Sequence, residues 1–141
     1  MASRKILIDT NVCIDAIEGR KPFDFNALKI LEYSENRIIN GFVSAHSFDT
    51  LFYILIQNSP RSNVYSAIDG LRRVVEVAPV TQRIIDEALD LKWPDFEDAI
   101  HYRAAVAAGC EAIVTRNPTD FKESDLEIMT PGQLLSEMEN S

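Results

Sequence analysis

A short apolar run, Lys5-Ile6-Leu7-Ile8, stops abruptly at Asp9-Thr10-Asn11, and an amphipathic helical stretch follows at once. Such a run suits a strand buried on both faces, the strand type of parallel sheets. Thr10 and Asn11 supply capping side chains for a helix carrying Val12, Ile14, Ala16 and Ile17, and Gly19 ends it. The alternation then repeats. Helical periodicity covers residues 26–36, a strand is predicted over 38–43, and Ser44 can cap a helix carrying Phe48, Leu51, Phe52, Leu55 and Ile56. Ser59-Pro60 opens a helix to about residue 73, and the β-branched stretch 74–77 reads as a strand. Pro94 parts helices over 81–91 and 96–108; strands over 112–115 and 126–129 and a helix over 131–138 complete the chain. This alternation predicts an α/β fold, a three-layer α/β/α sandwich with a mostly parallel central sheet. In such sheets ligands meet the protein beyond the carboxyl ends of the strands.

The 141 residues fit a single domain spanning 1–141, with no repeat, low-complexity run or linker to divide them. No stretch approaches the roughly 18 uncharged apolar residues of a membrane helix. Asp9 also interrupts any signal-peptide core, so a cytoplasmic protein without membrane association is expected. Cys13 and Cys110 stand at no motif spacing and read as small buried apolar residues. The net charge is −8, with 22 acids against 14 bases. That disfavours a passive nucleic-acid-binding module, whose affinity comes from Lys and Arg on phosphates. It leaves room for an enzyme whose acids hold cations that then meet the phosphates.

Three predicted strand or helix ends carry acids. Asp9 follows the first strand, where it can simply cap the next helix. Asp120 follows the strand 112–115 in Thr115-Arg116-Asn117-Pro118-Thr119-Asp120, a sequence also suited to a plain turn. Asp95 and Asp98 open the helix 96–108, where a capping-box arrangement would account for both, with Glu97 facing solvent. If the sheet is as predicted, Asp9, Asp98 and Asp120 converge on one edge. Two carboxylates about 4 Å apart repel by roughly 4 kcal/mol at an effective dielectric near 20, so the cluster must take up protons or a cation. Oxygen-only ligands select a hard ion, Mg²⁺ or Mn²⁺, and the matching chemistry is phosphodiester hydrolysis by an activated water.

Ile-Leu-Ile-Asp9-Thr-Asn11, Asp95-Phe-Glu-Asp98-Ala, Ile-Val-Thr115-Arg-Asn117 and Asp120-Phe occur in this order within residues 5–132. In that combination the chain resembles PIN-domain proteins, and within them a bacterial branch related to VapC-type toxins. The resemblance implies an α/β/α sandwich, a Mg²⁺- or Mn²⁺-dependent ribonuclease acting on RNA, a homodimer, and an antitoxin protein whose tail covers the acidic cleft. It assigns metal binding to Asp9, Asp98 and Asp120, and the orienting of the acids or a water to Asn11 and Thr115. Asn117 sits in the matching Thr-Arg-Asn stretch.

There is one departure. Many PIN nucleases carry a glutamate on the helix after the second strand, and the matching position here is Thr50, next to Asp49. Thr50, Asp49 or Asp95 could fill that place, with one ion or two. A catalytically degenerate PIN fold that binds protein or RNA is therefore the alternative. His101 and His46 rank lower, as exposed or structurally bonded side chains, and Arg116, which could meet phosphate, reads first as a solvated turn arginine. A haloacid-dehalogenase-like phosphatase would want an acid at Asn11, and no glycine-rich phosphate loop is present.

Overall fold

The computed structural model describes residues 3–140. Five strands form one sheet: β1 (Lys5–Ile8), β2 (Asn40–Ser44), β3 (Glu76–Ala78), β4 (Ala112–Val114) and β5 (Glu127–Met129), in the order β3-β2-β1-β4-β5. All four pairings are parallel. Leu7 stands opposite Phe42 and Ile113, Val43 opposite Val77, and Ile113 opposite Ile128.

The helices are α1 (Thr10–Glu18), α2 (Asp24–Glu35), α3 (Ala45–Leu55), α4 (Arg61–Val74), α5 (Gln82–Leu91), α6 (Phe96–Ala107) and α7 (Pro131–Glu139), with a 3₁₀ turn at Pro118–Phe121. Strand alternation sorts them into two layers. Ile6 and Ile8 join Ala112 and Val114 in a core with residues of α1 to α4 and α7. Leu7 and Ile113 point the other way, into a core with α5, α6 and Phe121. The predicted three-layer α/β/α sandwich is the observed one, and its sheet is wholly parallel.

Strand boundaries differ from the sequence expectation by one or two residues, and the two larger shifts, at the starts of β2 and β3, trace to helix ends. Residues 38 and 39 are not in β2, because their N–H groups donate back to the Tyr33 carbonyl at the end of α2 (2.9 and 3.3 Å), beyond a left-handed Arg37 (φ 61°). Val74 belongs to α4 and Val75 caps it, so β3 starts only at Glu76. Gly41 lets α2 lie close to β2. A Cβ there would fall 2.4 Å from Ser34 Oγ, which donates to the Val74 carbonyl at 2.5 Å.

The apolar stretch of α3 is one-sided: Leu51 and Leu55 are buried while Tyr53 is 69% exposed. Cys13 and Cys110 are buried free thiols. Among the described residues no helix is long and apolar enough to cross a membrane. The chain runs outward from β1 through β2 to β3, then returns to place β4 on the other side of β1. The carboxyl ends of β1 and β4 are thus the point where the winding reverses, the place where open α/β sheets bind ligands.

Candidate functional site

Asp9 leaves β1 at this reversal point and is both a helix cap and a member of a cluster. Its Oδ1 accepts from the Thr10 N–H (2.8 Å), and its Oδ2 accepts from the Thr115 hydroxyl at the end of β4 (2.7 Å). Its backbone N–H donates to the Val114 carbonyl (3.0 Å), so the β1–β4 ladder itself sets where the carboxylate stands. Burial pushes the Asp9 carboxyl up; the bonds from Thr115 and Thr10 and the nearby His101 pull it down, and Asp120 pushes it up again.

Asp95 caps α6, accepting from the Asp98 N–H at 3.1 Å, and the Asp98 side chain makes no returning bond to complete a box. The Asp98 carboxyl is instead pushed up to about 7, by burial first and then by Asp95, Asp9 and Asp120, against a smaller opposing pull from His101. Asp120 sits exposed on the 3₁₀ turn, which is tied by its backbone N–H to the Asn117 carbonyl (3.0 Å). Four acids from three segments therefore share one field. Among the described residues no lysine or arginine pairs with any of them.

The flanking polar residues brace the β4 exit. Thr115 Oγ accepts from the Asn117 N–H (3.1 Å), and Asn11 Oδ1 lies 3.5 Å from the Arg116 N–H. Arg116, weighed above as a phosphate contact, is already engaged. Its Nε lies 2.9 Å from Asp15 Oδ2, and its guanidinium sits 4.3 Å from the centre of the Phe23 ring.

Glu97 does not face solvent alone. Its two oxygens lie 3.3 Å from Nε2 of His101 and 3.3 Å from Nε2 of His46, and the buried His101 places Nδ1 2.9 Å from Ser44 Oγ. The His101 hydrogen bond is the main cause that holds Glu97 below the usual carboxylate range. The signal for half of this lay in the sequence, since residues 97 and 101 are one helical turn apart. His46 and Ser44 join only through the fold. On α3, Ser47 is buried and shares a 2.7 Å hydrogen bond with Thr10. Thr50 is one turn beyond Ser47 and half-buried, whereas Asp49 lies on the exposed side.

This donor set suits a hard divalent cation by its oxygen chemistry and by the mutual repulsion that raises Asp98. It is not a ready-made cage. Among the described residues no three Cys, His, Asp or Glu side chains stand close enough together to enclose an ion. Mg²⁺ keeps several of its waters and can meet carboxylates through them, so an enclosing cage is not a requirement for that ion.

The fold matches those of known proteins. The chain superposes on VapBC from Salmonella typhimurium in its DNA-bound crystal structure, with a TM-score of 0.70 at 16% identity, covering 91% of this chain and 98% of that one. A toxin–antitoxin complex from Klebsiella pneumoniae gives 0.68 at 22% identity, covering 89% and 97%. Mycobacterium tuberculosis VapC20, described as a sarcin–ricin loop cleaving toxin, gives 0.63 at 16% identity, covering 77% and 86%. No curated protein matches the chain. The family model described as PIN domain matches residues 5–119, from the first residue of β1 to the turn that carries Asp120, and the chain belongs to the PIN-domain family.

Proposed function

We propose that the protein is a metal-dependent ribonuclease and the toxin of a toxin–antitoxin pair. The observation that carries this reading is the convergence of Asp9, Asp98 and Asp120 at the reversal point of the sheet, close enough in field to push Asp98 up to about 7. Two further facts support it: structural neighbours include a toxin–antitoxin complex, and one is described as a sarcin–ricin loop cleaving toxin. Asp9, Asp98 and Asp120 would hold Mg²⁺ or Mn²⁺, with Asp95 as a further carboxylate beside them. When bound, the ion supplies charge neutralisation at the scissile phosphate and a more acidic water.

The chain's own residues do the rest. Thr115 and the Thr10 N–H fix the orientation of Asp9, so little reorganisation is needed when the substrate arrives. Asn11 and Asn117 hold the β4 exit loop that carries Asp120. An antitoxin would reach the acidic cleft with cationic side chains, and self-association as a homodimer belongs to the same reading.

The test is cleavage of single-stranded RNA under single-turnover conditions with Mg²⁺ or Mn²⁺. Cleavage should vanish on chelation and in Asp9→Asn. A second reading, a degenerate PIN fold that only binds, is favoured by Thr50 in place of the usual glutamate and by the lack of a closed ligand cage. RNA binding without cleavage at saturating divalent ion would select it.

A further inference from the structure

Beside the acids, between the amino end of α6 and the 3₁₀ turn, lies a pocket of about 270 Å³ whose walls include Trp93, Asp95, Asp98, Asp120, Lys122 and Glu123. Its aromatic wall is held in place. The Trp93 ring stacks on Tyr102 at 4.9 Å and meets Phe121 edge-on at 6.2 Å. Lys122 and Glu123 are exposed and make no ion pair among the described residues.

We propose that this pocket is a subsite for one unpaired nucleobase of the RNA substrate, with guanine preferred. The proposal rests on the ribonuclease reading and adds to it where the chain next to the cleaved bond sits. Single-stranded RNA is recognised by stacking splayed bases on aromatic rings and by hydrogen bonds to their Watson–Crick edges. Trp93 offers the ring. Ionised carboxylates only accept, so the edge that fits must donate. Guanine presents adjacent N1–H and N2–H donors that match the two oxygens of one carboxylate. Uracil places a single N–H between two carbonyls that a carboxylate repels. Glu123 is the acid free for this task, since Asp98 and Asp120 belong to the metal cluster. Asp98 and Asp120 line the same pocket as Trp93, so a base seated there lies beside the acids, and the exposed Lys122 is the cation of that wall.

Trp93 is the single tryptophan of the chain, so its emission reports this pocket directly. The experiment titrates the metal-free protein with guanosine and with uridine, neutral probes that need neither the cation nor cleavage. Guanosine should quench Trp93 saturably, with half-saturation at least tenfold below that of uridine, and Glu123→Gln should remove the difference. No saturable quenching, or equal quenching by both nucleosides, overturns the subsite. Metal-dependent RNA cleavage is measured on the same preparation. Quenching without cleavage keeps the subsite and sinks the nuclease; cleavage without selective quenching does the reverse.

Discussion

The two edges of the sheet gather acids in opposite ways. At the amino edge Arg4, just before β1, collects Glu111 before β4 (3.1 Å), Glu127 in β5 (2.5 Å) and Glu137 of α7. At the carboxyl edge Asp9, Asp95, Asp98 and Asp120 gather with no arginine among them, and Asp98 answers by holding its proton to about 7. Among the described residues, the sheet thus gathers acids at both edges and places an arginine within the cluster at one of them. Acids around an arginine are a structural clamp. Acids left without one repel one another, and a cation or a proton relieves that repulsion. A larger hollow of about 440 Å³ by the start of β2 mixes Arg37, Arg72 and Arg73 with Glu35 and Glu76, and has neither character.

The sharpest way to break this contrast is Asp98→Asn. RNA cleavage should fall by on the order of a thousandfold, the scale of losing a preorganised charge at a transition state. The rise of Tm on adding Mg²⁺ or Mn²⁺ should vanish, while the metal-free protein stays as stable or gains, since one repelling charge is gone. Melting curves and cleavage time courses measure this. A clear loss of metal-free Tm would reassign Asp98 to the support of α6.

At the other edge, Arg4→Gln should cost about 1–2 kcal/mol in urea unfolding, the sum of partly exposed pairs worth under about 1 kcal/mol each, and less at high salt. It should also turn the clamp into a cluster of like charges. Part of the lost stability should return with added divalent ion in Arg4→Gln and not in the parent. Without that return, gathered acids alone would be insufficient to attract a cation.

Proton linkage gives a smaller effect of defined sign. The folded value of Asp98, about 7, lies above the roughly 3.9 of an unfolded aspartate, so the protonated form favours the fold. That contribution is complete below about pH 4 and is lost as pH climbs through about 7. Metal-free protein should therefore melt higher at pH 6 than at pH 8, and Asp98→Asn should flatten the difference. The divalent-induced rise in Tm should run the other way, larger at pH 8, because the ion displaces that proton. The smallest expected effect is at Thr50. Thr50→Glu should tighten divalent binding roughly fivefold, about 1 kcal/mol for one added charge in a water-like dielectric. Asp49→Ala should change nothing. The opposite pattern in calorimetric titrations would make Asp49 the fourth acid.

What could be read in the sequence was local. Asp9 ends an apolar run and opens a helix, and both signals fall within a few residues, so strand, cap and helix were all legible. Asp95 as the cap of α6 was legible for the same reason. The starts of β2 and β3 were not, because β-branched residues 38, 39, 74 and 75 look extended while neighbouring helix ends claim their backbone. Glu97 was misread as solvated, since His46 reaches it from α3 and only the sandwich brings the two together. Arg116 was misread in the same way: Asp15 and Phe23, which engage it, come from the far side of α1 and the start of α2.

The bond between Asp9 and Thr115 joins residues 106 apart, and six helices separate β1 from β4. During synthesis β1 emerges well before β4, so the central strand waits for its second neighbour while α1 to α6 are made. Until then Asp9 has no hydroxyl to aim it and Asp120 does not yet exist. A chain stalled before residue 115 therefore lacks the assembled acids, and any activity waits until residue 120 has been added. For a protein proposed to attack RNA in the cell that makes it, this delay is a built-in interval in which a neutralising partner can be made.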